Sequence, residues 1–178
     1  MTVIPVWRRL ALSALALMVS ALLLRGQISS AIVLRGDQEA YVGHDAHANA
    51  LYLRALYVDP HNAVAVDRFA FGTLSGHRPR MMRRGILVAS RYLIQTPRDA
   101  TVLMDRALLE EALGHFADAE RDFGRVALLR ASAQAYTFAG FAALRAGDRK
   151  GAVAYWHGAA RIDASYVPAR VALARIGC

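Results

Sequence analysis

The sequence of 178 residues predicts an all-α protein in which stacked helical hairpins follow one apolar N-terminal helix. Three observations support this prediction. An uncharged stretch covers residues 10–24, glycines recur at a spacing near 33 residues, and apolar residues fall at helical spacing rather than in the alternation of strands. Hydrophobic residues make up 56% of the chain, which is high for a soluble domain and indicates a membrane segment.

Residues 1–28 are predicted to form a transmembrane anchor. Two arginines, Arg8 and Arg9, precede the apolar stretch, and Arg25 follows it. With the apolar residues before Arg8 included, about 21 residues can cross the ~30 Å apolar layer of a bilayer as a helix. A cleaved signal peptide is the alternative, with small-residue motifs at 19–21 and 29–31 that are both poorly placed for cleavage.

The remaining chain repeats itself. Turn glycines are separated by 33, 38 and 33 residues: Gly43, Gly76, Gly114 and Gly147. Residues that favour helix starts, because their side chains accept backbone N–H bonds, are separated by 33, 37, 33 and 33: Ser29, Asn62, Asp99, Ser132 and Ser165. Small and aromatic residues recur at offsets of four and three: Ala48-Tyr52-Ala55, Ala119-Phe123-Val126 and Ala152-Trp156-Ala159. Three of the turn glycines precede a histidine, which we interpret as one shared turn.

These marks predict four helical hairpins and a last single helix. The first helices are expected at about 30–42, 63–75, 100–113 and 133–146. The second helices are expected at about 45–58, 79–95, 116–130 and 149–163, and the last helix at 166–176. A linker of about four residues, 25–28, would join the anchor to the first hairpin. One hairpin cannot bury its apolar face alone but a stack can, so Tyr52, Phe123 and Trp156 are predicted core residues.

The stretches ALGHFADAERDFGRVALL (112–129) and AGDRKGAVAYWHGAARID (146–163) resemble the tetratricopeptide repeat (TPR) family, whose second helix carries Ala-x₃-aromatic. The resemblance covers about 29–178 and implies a right-handed α-solenoid. Its units would be 29–61, 62–98, 99–131 and 132–164, with a capping helix in 165–178. The tryptophan that the family carries early in the first helix is absent here, and proline is missing after units three and four.

In this family the first helices of the hairpins line a concave groove that holds partner peptides. The resemblance implies a partner-binding groove of these residues: Asp37, Tyr41, Asp67, Phe71, Met104, Leu108, Glu111, Gln134, Phe141 and Arg145. The set mixes apolar with polar side chains, which suits an extended or helical peptide held by aromatic anchors. Packing between repeats is the alternative role of Phe71 and Phe141.

A basic surface is predicted on the second helix of unit two. Residues 68–98 hold seven arginines and no Asp or Glu, and so contribute +7 of the net charge of +8. Five of these arginines form the predicted surface: Arg78, Arg80, Arg83, Arg84 and Arg91. The side expected to face the core consists of Ile86, Leu87, Ala89, Leu93 and Ile94. The helix is expected to be about one turn longer than its counterparts.

Three environments remain for this basic surface: an acidic protein, anionic lipid headgroups, or water alone. Nucleic acid is disfavoured, since the predicted helix at 79–95 has only Tyr92 as a ring on which a base could stack.

Catalytic, metal-binding and cofactor-binding residues are not predicted. No nucleophile elbow, phosphate-binding glycine loop or HExxH motif occurs. His44 and His47 lie one helical turn apart, but a third metal ligand would have to come from elsewhere. The single cysteine, Cys178, cannot form an intrachain disulfide.

Together these features predict a non-catalytic, single-pass protein of a bacterial inner membrane. The short N-terminal tail favours a cytoplasmic N-terminus and therefore a periplasmic repeat domain. The repeats would bind protein partners as a scaffold, an assembly factor or a subunit of an envelope membrane complex. The alternatives are a periplasmic or secreted repeat protein freed by signal cleavage, and an accessory subunit of a membrane enzyme complex.

Overall fold

The computed structural model describes residues 6–176, which form nine α-helices and contain no strand. The helices are α1 Val6–Tyr41, α2 Asp45–Val58, α3 Ala63–Ser75, α4 Pro79–Gln95, α5 Ala100–Ala112, α6 Phe116–Arg130, α7 Ala133–Arg145, α8 Arg149–Ile162 and α9 Val167–Ile176. The bounds of α2 to α9 agree with the predicted ones to within one residue. Cys178 lies outside the described residues.

Helix α1 differs from the prediction because the apolar stretch and the first repeat helix form one continuous helix of 36 residues. The expected linker at 25–28 is therefore wrong. Arg25 is helical, and its Nε donates to the carbonyl oxygen of Val58 at 2.9 Å. The segment contains no proline, and the cost of Gly26 in a helix, about 1 kcal/mol, is too small to break a helix that tertiary packing supports.

The chain divides into two compact units, Met1–Ala65 and Val66–Cys178. In the first unit, Tyr52 of α2 is buried against Gly36 of α1, where a Cβ atom would overlap the phenol ring. The Tyr52 hydroxyl donates to Asp37 Oδ1 at 2.8 Å. The predicted core role of Tyr52 is confirmed, and the glycine opposite it explains how the two helices approach so closely.

Ser29 was predicted to start a helix, but it is a buried residue in the interior of α1. Its hydroxyl donates to the carbonyl oxygen of Ala55 at 3.0 Å and accepts from Nδ2 of Asn62 at 2.8 Å. Asn62 Oδ1 in turn accepts from the backbone N–H of Ala65 at the start of α3, so Asn62 does act as a cap. A serine hydroxyl bonds a backbone carbonyl as readily as it caps, and the continuous α1 leaves no helix start for Ser29 to cap.

The second unit stacks the hairpins α3–α4, counted from Val66, α5–α6 and α7–α8, followed by α9. Phe123 and Trp156 are buried, each among small alanines from two hairpins or from α9, as the repeat pattern predicted. Gly140 makes room for Trp156, because a Cβ atom at this position would overlap the indole ring. α9 packs against the last hairpin through the buried Ala169 and Ala172.

Three of the four predicted turn glycines have the left-handed conformation, with φ of 84°, 83° and 92°: Gly43, Gly114 and Gly147. The fourth turn differs. Gly76 lies outside this region and His77 takes the left-handed conformation, with φ of 49°. Arg78, and not the histidine, is then the residue before the helix. The interpretation of one shared Gly-His turn is therefore wrong at 76–77, where the turn is shifted by one residue.

Two of the predicted helix caps later in the chain are confirmed and one is wrong. Asp99 Oδ1 accepts from two backbone N–H groups at the start of α5, and Ser132 Oγ accepts from one in α7. Ser165 is not a cap, because its hydroxyl donates to Asp163 Oδ1 at 2.6 Å and α9 begins only at Val167.

Candidate partner-binding surfaces

The first helices of the hairpins in the second unit carry most of the predicted groove. We call this the first-helix surface; it belongs to α3 from Val66, α5 and α7. Phe71 of α3 is 67% exposed, so packing between repeats does not account for its side chain. Gln134 of α7 is exposed as well. These two are available for contact with another molecule.

Other predicted groove residues are partly used by the fold itself. Met104 and Leu108 are half-buried against the cluster around Phe123. Phe138, which was not predicted, packs beside them with its ring centroid 5.4 Å from that of Phe123. Phe141 packs edge-on against Trp156 at 5.4 Å. These residues stabilise the stack and leave only part of each side chain on the surface.

Two charged residues of the predicted groove, Glu111 and Arg145, are bound to each other. Arg145 Nη1 lies 3.1 Å from Glu111 Oε1 and joins α7 to α5. The same guanidinium group lies 4.0 Å above the ring of Phe116. A partner that binds either side chain would have to break this exposed ion pair, whose free energy is small, about 0–1 kcal/mol.

An unpredicted carboxylate lies beside Asp67 on the first-helix surface. Burial raises the pKa of Asp105 to about 7, and the negative charge of Asp67 acts in the same direction. Oδ2 of Asp105 is buried, and no described residue donates a hydrogen bond to it. The two carboxylates occupy equivalent repeat positions, because 105 − 67 = 38 equals the spacing 114 − 76 = 38 of the turn glycines. Sequence register could therefore have found this pair.

Asp37 and Tyr41, the two groove residues predicted in the first unit, have different environments. Asp37 accepts the hydrogen bond from Tyr52, which holds its side chain in the α1–α2 hairpin. Tyr41, at the end of α1, is 92% exposed. The set of ten residues is thus divided between the two units, and its joint role stays a prediction.

The predicted basic surface lies on the outer side of α4. Its five arginines, Arg78, Arg80, Arg83, Arg84 and Arg91, are all exposed. The helix has 17 residues, compared with 14, 15 and 14 in α2, α6 and α8, so it is longer than its counterparts as predicted, by two to three residues and somewhat less than a full turn. Among the described residues, none of the five lies within ion-pair distance of a carboxylate.

The predicted buried side of α4 is only partly right. Ala89 and Leu93 are buried and Ile86 is half-buried, but Leu87 is 50% and Ile94 is 79% exposed. The core-facing side instead consists of Met82, Gly85, Ala89, Tyr92 and Leu93. A helix has 3.6 residues per turn, so when these five positions face the core, positions 87 and 94 lie on the opposite side, which also carries the arginines.

Most arginines of α5, α6 and α7 do have a carboxylate partner. Arg106, Arg121, Arg125 and Arg145 each lie within 4.0 Å of a carboxylate. Arg106 binds Asp122 with two hydrogen bonds, of 2.6 and 2.9 Å, and donates a third to Ser90 Oγ at 3.1 Å. This guanidinium group joins α4, α5 and α6, and it was not predicted because its partners are 16 residues away on either side.

A cavity of about 420 Å³ lies in the second unit between α6 and α8, beside Tyr136 of α7. Gly124 forms part of its wall, and a Cβ atom there would come within 2.8 Å of the Tyr155 hydroxyl. Burial raises the pKa of Glu120 and of Tyr155, which lie next to each other. The lining carries both signs of charge, from Glu120 and Arg121, so it favours no single class of ligand.

Two of the histidines contact a glutamate across a turn. His44 Nδ1 lies 3.0 Å from Glu39 Oε2, and His115 Nδ1 lies 2.6 Å from Glu110 Oε2 in the equivalent turn. Within residues 6–176, no three His, Cys, Asp or Glu side chains form a group that would hold a metal ion.

Helix α1 contains a stretch, Ala11–Tyr41, that is long and apolar enough to cross a membrane, with a mean hydropathy of 1.7 in its most apolar window. Only 11% of that window is buried, which is unlike the core helix of a soluble protein. Signal sequences share this length, composition and N-terminal position.

No family model and no curated protein matches this chain. Solved structures do match it. A crystal structure of MamA superposes with a TM-score of 0.69 at 16% identity, over 78% of this chain and 80% of that chain. MamA from Desulfovibrio magneticus, residue 41 to the end, gives 0.65 at 16% identity, over 78% and 77%. A tetratricopeptide repeat protein from Parabacteroides merdae gives 0.67 at 16% identity, over 82% of this chain and 57% of that one.

The chain has the fold of a tetratricopeptide repeat protein. The likeness at 16% identity shows this fold alone, and it confirms the α-solenoid class that the repeat pattern predicted.

Proposed function

We propose that this chain is a non-catalytic, membrane-anchored TPR-type protein that holds partner proteins as a scaffold, an assembly factor or a subunit of an envelope membrane complex. The first-helix surface of the second unit carries the proposal. It exposes Phe71, an aromatic anchor, on the same surface as the carboxylates Asp67 and Asp105. Partner segments are bound by such combinations, because the aromatic ring supplies buried apolar area and the acceptors supply specificity.

The proposed contact residues differ in how far their side chains must rearrange before they can contact a partner. Phe71 and Gln134 are exposed and need no rearrangement. Met104 and Leu108 already pack below the surface and would form its floor. Arg145 would contribute only after release from Glu111. We therefore place the centre of the interface at Phe71.

Anchoring is supported by where the packing of α1 against α2 begins. Arg25 is hydrogen-bonded to Val58, whereas the described leucines of 10–24 are exposed. Residues 6–24 therefore extend from the hairpin, and 19 helical residues span about 28 Å, close to the apolar thickness of a bilayer. Trp7, with Arg8 5.2 Å from its ring, suits the interface at the far end. We propose the bacterial inner membrane, with the repeats on the periplasmic side.

The alternative is a form cleaved at one of the two small-residue motifs, 19–21 or 29–31. Cleavage at these motifs would have different effects on the first unit. Cleavage after Ala31 would remove Ser29 and both of its hydrogen bonds, whereas cleavage after Ala21 would keep the contacts of α1 at Arg25 and Ser29. N-terminal sequencing of the mature protein decides: a start near residue 22 or 32 establishes a secreted or periplasmic protein, and an uncleaved start supports the anchor. An accessory subunit of a membrane enzyme would instead co-purify with that enzyme's activity.

Partner binding is tested by Phe71→Ser, with Leu128→Ser as the matched control. Leu128 is 76% exposed, but it lies on a second helix, α6. After cross-linking in native membranes and extraction in mild detergent, we expect Phe71→Ser to reduce the recovered partner at least about tenfold, as loss of an interface hot spot does. Leu128→Ser should recover as much partner as the unmodified protein. If the unmodified protein emerges alone and monomeric, the scaffold function is wrong.

A further inference from the structure

The exposed side of α4 carries aliphatic side chains within its row of arginines. Arg80, Arg84, Leu87, Arg91 and Ile94 follow one another at spacings of four, three, four and three residues. Such spacing keeps them on one side of a helix, along about 21 Å. All five are exposed, with Leu87 at 50% and Ile94 at 79%. We call these five residues the α4 stripe.

Intramolecular contacts do not account for the arginines of the stripe. None of the three has a carboxylate partner among the described residues, although the next helices pair most of theirs. Their placement also opposes helix stability: α4 has no acidic residue in its first turn, while Arg78 is the N-cap and Arg80 follows Pro79. A positive charge at a helix N-terminus is unfavourable. The stripe is therefore available for an external anionic surface.

We propose that the α4 stripe binds the surface of an anionic lipid bilayer. The guanidinium groups of Arg80, Arg84 and Arg91 would hold headgroup phosphates, which their planar donors can bind with two hydrogen bonds. Leu87 and Ile94 would enter the boundary between headgroups and acyl chains, as in other basic amphipathic helices at membranes. The inference rests on the proposed function in one respect, since anchoring by α1 keeps the chain at the bilayer.

A bilayer fits the stripe better than an acidic protein does. The hot spots of protein interfaces are enriched in Trp, Tyr and Arg and sit in well-packed pockets. The one aromatic residue of α4, Tyr92, is buried, and its hydroxyl donates to Asp99 Oδ2 at 3.0 Å. A lipid surface needs no pocket, only a row of cations with aliphatic side chains between them, and the stripe has this composition.

The test uses the full chain in lipid nanodiscs of phosphatidylcholine, with or without one quarter phosphatidylglycerol. A fluorescent label is placed on Ile94→Cys in a Cys178→Ser background, and quenching by aqueous acrylamide, which is uncharged and so is not repelled by the anionic lipid, reports its exposure to water. The matched label is on Leu128→Cys, an aliphatic residue of α6 that is 76% exposed. We expect the quenching constant at 94 to fall at least threefold in anionic discs relative to neutral discs, and the constant at 128 to stay unchanged.

Charge variants give the second comparison. Arg80→Gln, Arg84→Gln and Arg91→Gln together should restore full quenching at 94. The control with the same loss of charge is Arg161→Gln, Arg170→Gln and Arg175→Gln, all exposed residues of α8 and α9, and it should keep the protection. Circular dichroism checks that both triple variants keep the helical content of the unmodified protein.

Each other outcome overturns the inference. Equal quenching at 94 in the two lipids removes the anionic requirement. If the label at residue 94 is protected from quenching in neutral discs, and only after membrane proteins are added, the partner of the stripe is an acidic protein. Protection that survives the Arg80, Arg84 and Arg91 changes assigns it to another surface. Anchoring is read separately: release of the chain from neutral discs in high salt contradicts the proposed function, while the difference between the two lipids at 94 still tests the stripe.

Discussion

Arg106 and the arginines of α4 belong to the same unit and have opposite environments. Arg106 is bound by Asp122, whose side chain is 3% exposed, and it also donates to Ser90. The arginines of α4 extend into solvent without a carboxylate partner among the described residues. The arginines behind the net charge of +8 therefore fall into two groups, those paired with a carboxylate and those exposed without one among the described residues. A paired arginine stabilises the stack of hairpins, and an unpaired one is available to an external anion.

The largest expected effect comes from breaking the paired case. Asp122→Ala leaves the Arg106 guanidinium, which is only 21% exposed, without its carboxylate. Removal of one partner of a buried ion pair typically costs about 3–5 kcal/mol, because the remaining charge is desolvated and uncompensated. We expect a loss of this order in the free energy of unfolding, measured by urea titration of the detergent-solubilised chain.

Asp118→Ala is the control for this comparison. Asp118 pairs with Arg121 at 2.9 Å, but both side chains are more than half exposed. Exposed pairs contribute about 0–1 kcal/mol, so the control should unfold close to the unmodified protein. Equal losses in the two variants would show that burial does not separate structural from available arginines in this unit.

A smaller effect is expected at Asp105, the acidic counterpart of an unpaired arginine. Burial and Asp67 raise its pKa to about 7 from an ordinary value of 3.8. Between these values the folded state binds a proton that the unfolded state releases, so stability falls as the pH rises towards 7 and stays low above it. Asp105→Asn should remove this fall. Because solvent screens part of the carboxyl, we expect a gain of about 1–2 kcal/mol at pH 8 rather than the full shift.

The same variant should gain only about a third as much at pH 5, because the folded carboxyl of Asp105 is still protonated there while the unfolded carboxyl is already ionised, and pH 5 lies about a third of the way from 3.8 to about 7. Urea unfolding at pH 5 and pH 8 measures the difference. A gain of equal size at both pH values would mean that Asp105 is destabilising for a reason other than its charge.

The helix bounds were predictable because each turn is marked locally. A left-handed glycine ends the first helix in three hairpins, and capping side chains such as Asp99 start the next. These signals act within four residues and are visible in the sequence. The fold class followed from their recurrence, since hairpins of one length can bury their apolar faces only by stacking.

The errors concern features that are decided at longer range. Ser29 has the composition of a cap, but its hydroxyl bonds to Ala55 and Asn62, which are 26 and 33 residues away. Leu87 and Ile94 are aliphatic, yet the packing of α4 directs them outward. The repeat register in the sequence places Asp105 at the position equivalent to Asp67, but the burial that raises its pKa is decided by packing. Much of the candidate site depends on such contacts, so the sequence predicted the exposed Phe71 but not the environment of its neighbours.

The smallest expected effect comes from Arg80→Glu, and it probes the unpaired case most directly. An acidic side chain in the first turn of α4 interacts favourably with the helix dipole, where Arg80 does the opposite, and it can also pair with Arg84 one turn later. We expect a gain of about 0.3–1 kcal/mol in the free energy of unfolding, which should shrink in 1 M salt. Arg91→Glu, away from the first turn, should stay within about 0.5 kcal/mol of the unmodified protein.

If Arg80→Glu stabilises the fold while it removes the protection of residue 94 in anionic discs, Arg80 serves binding at the expense of stability. A loss of stability instead would place Arg80 with Arg106 among the structural arginines and remove the distinction on which the lipid contact rests.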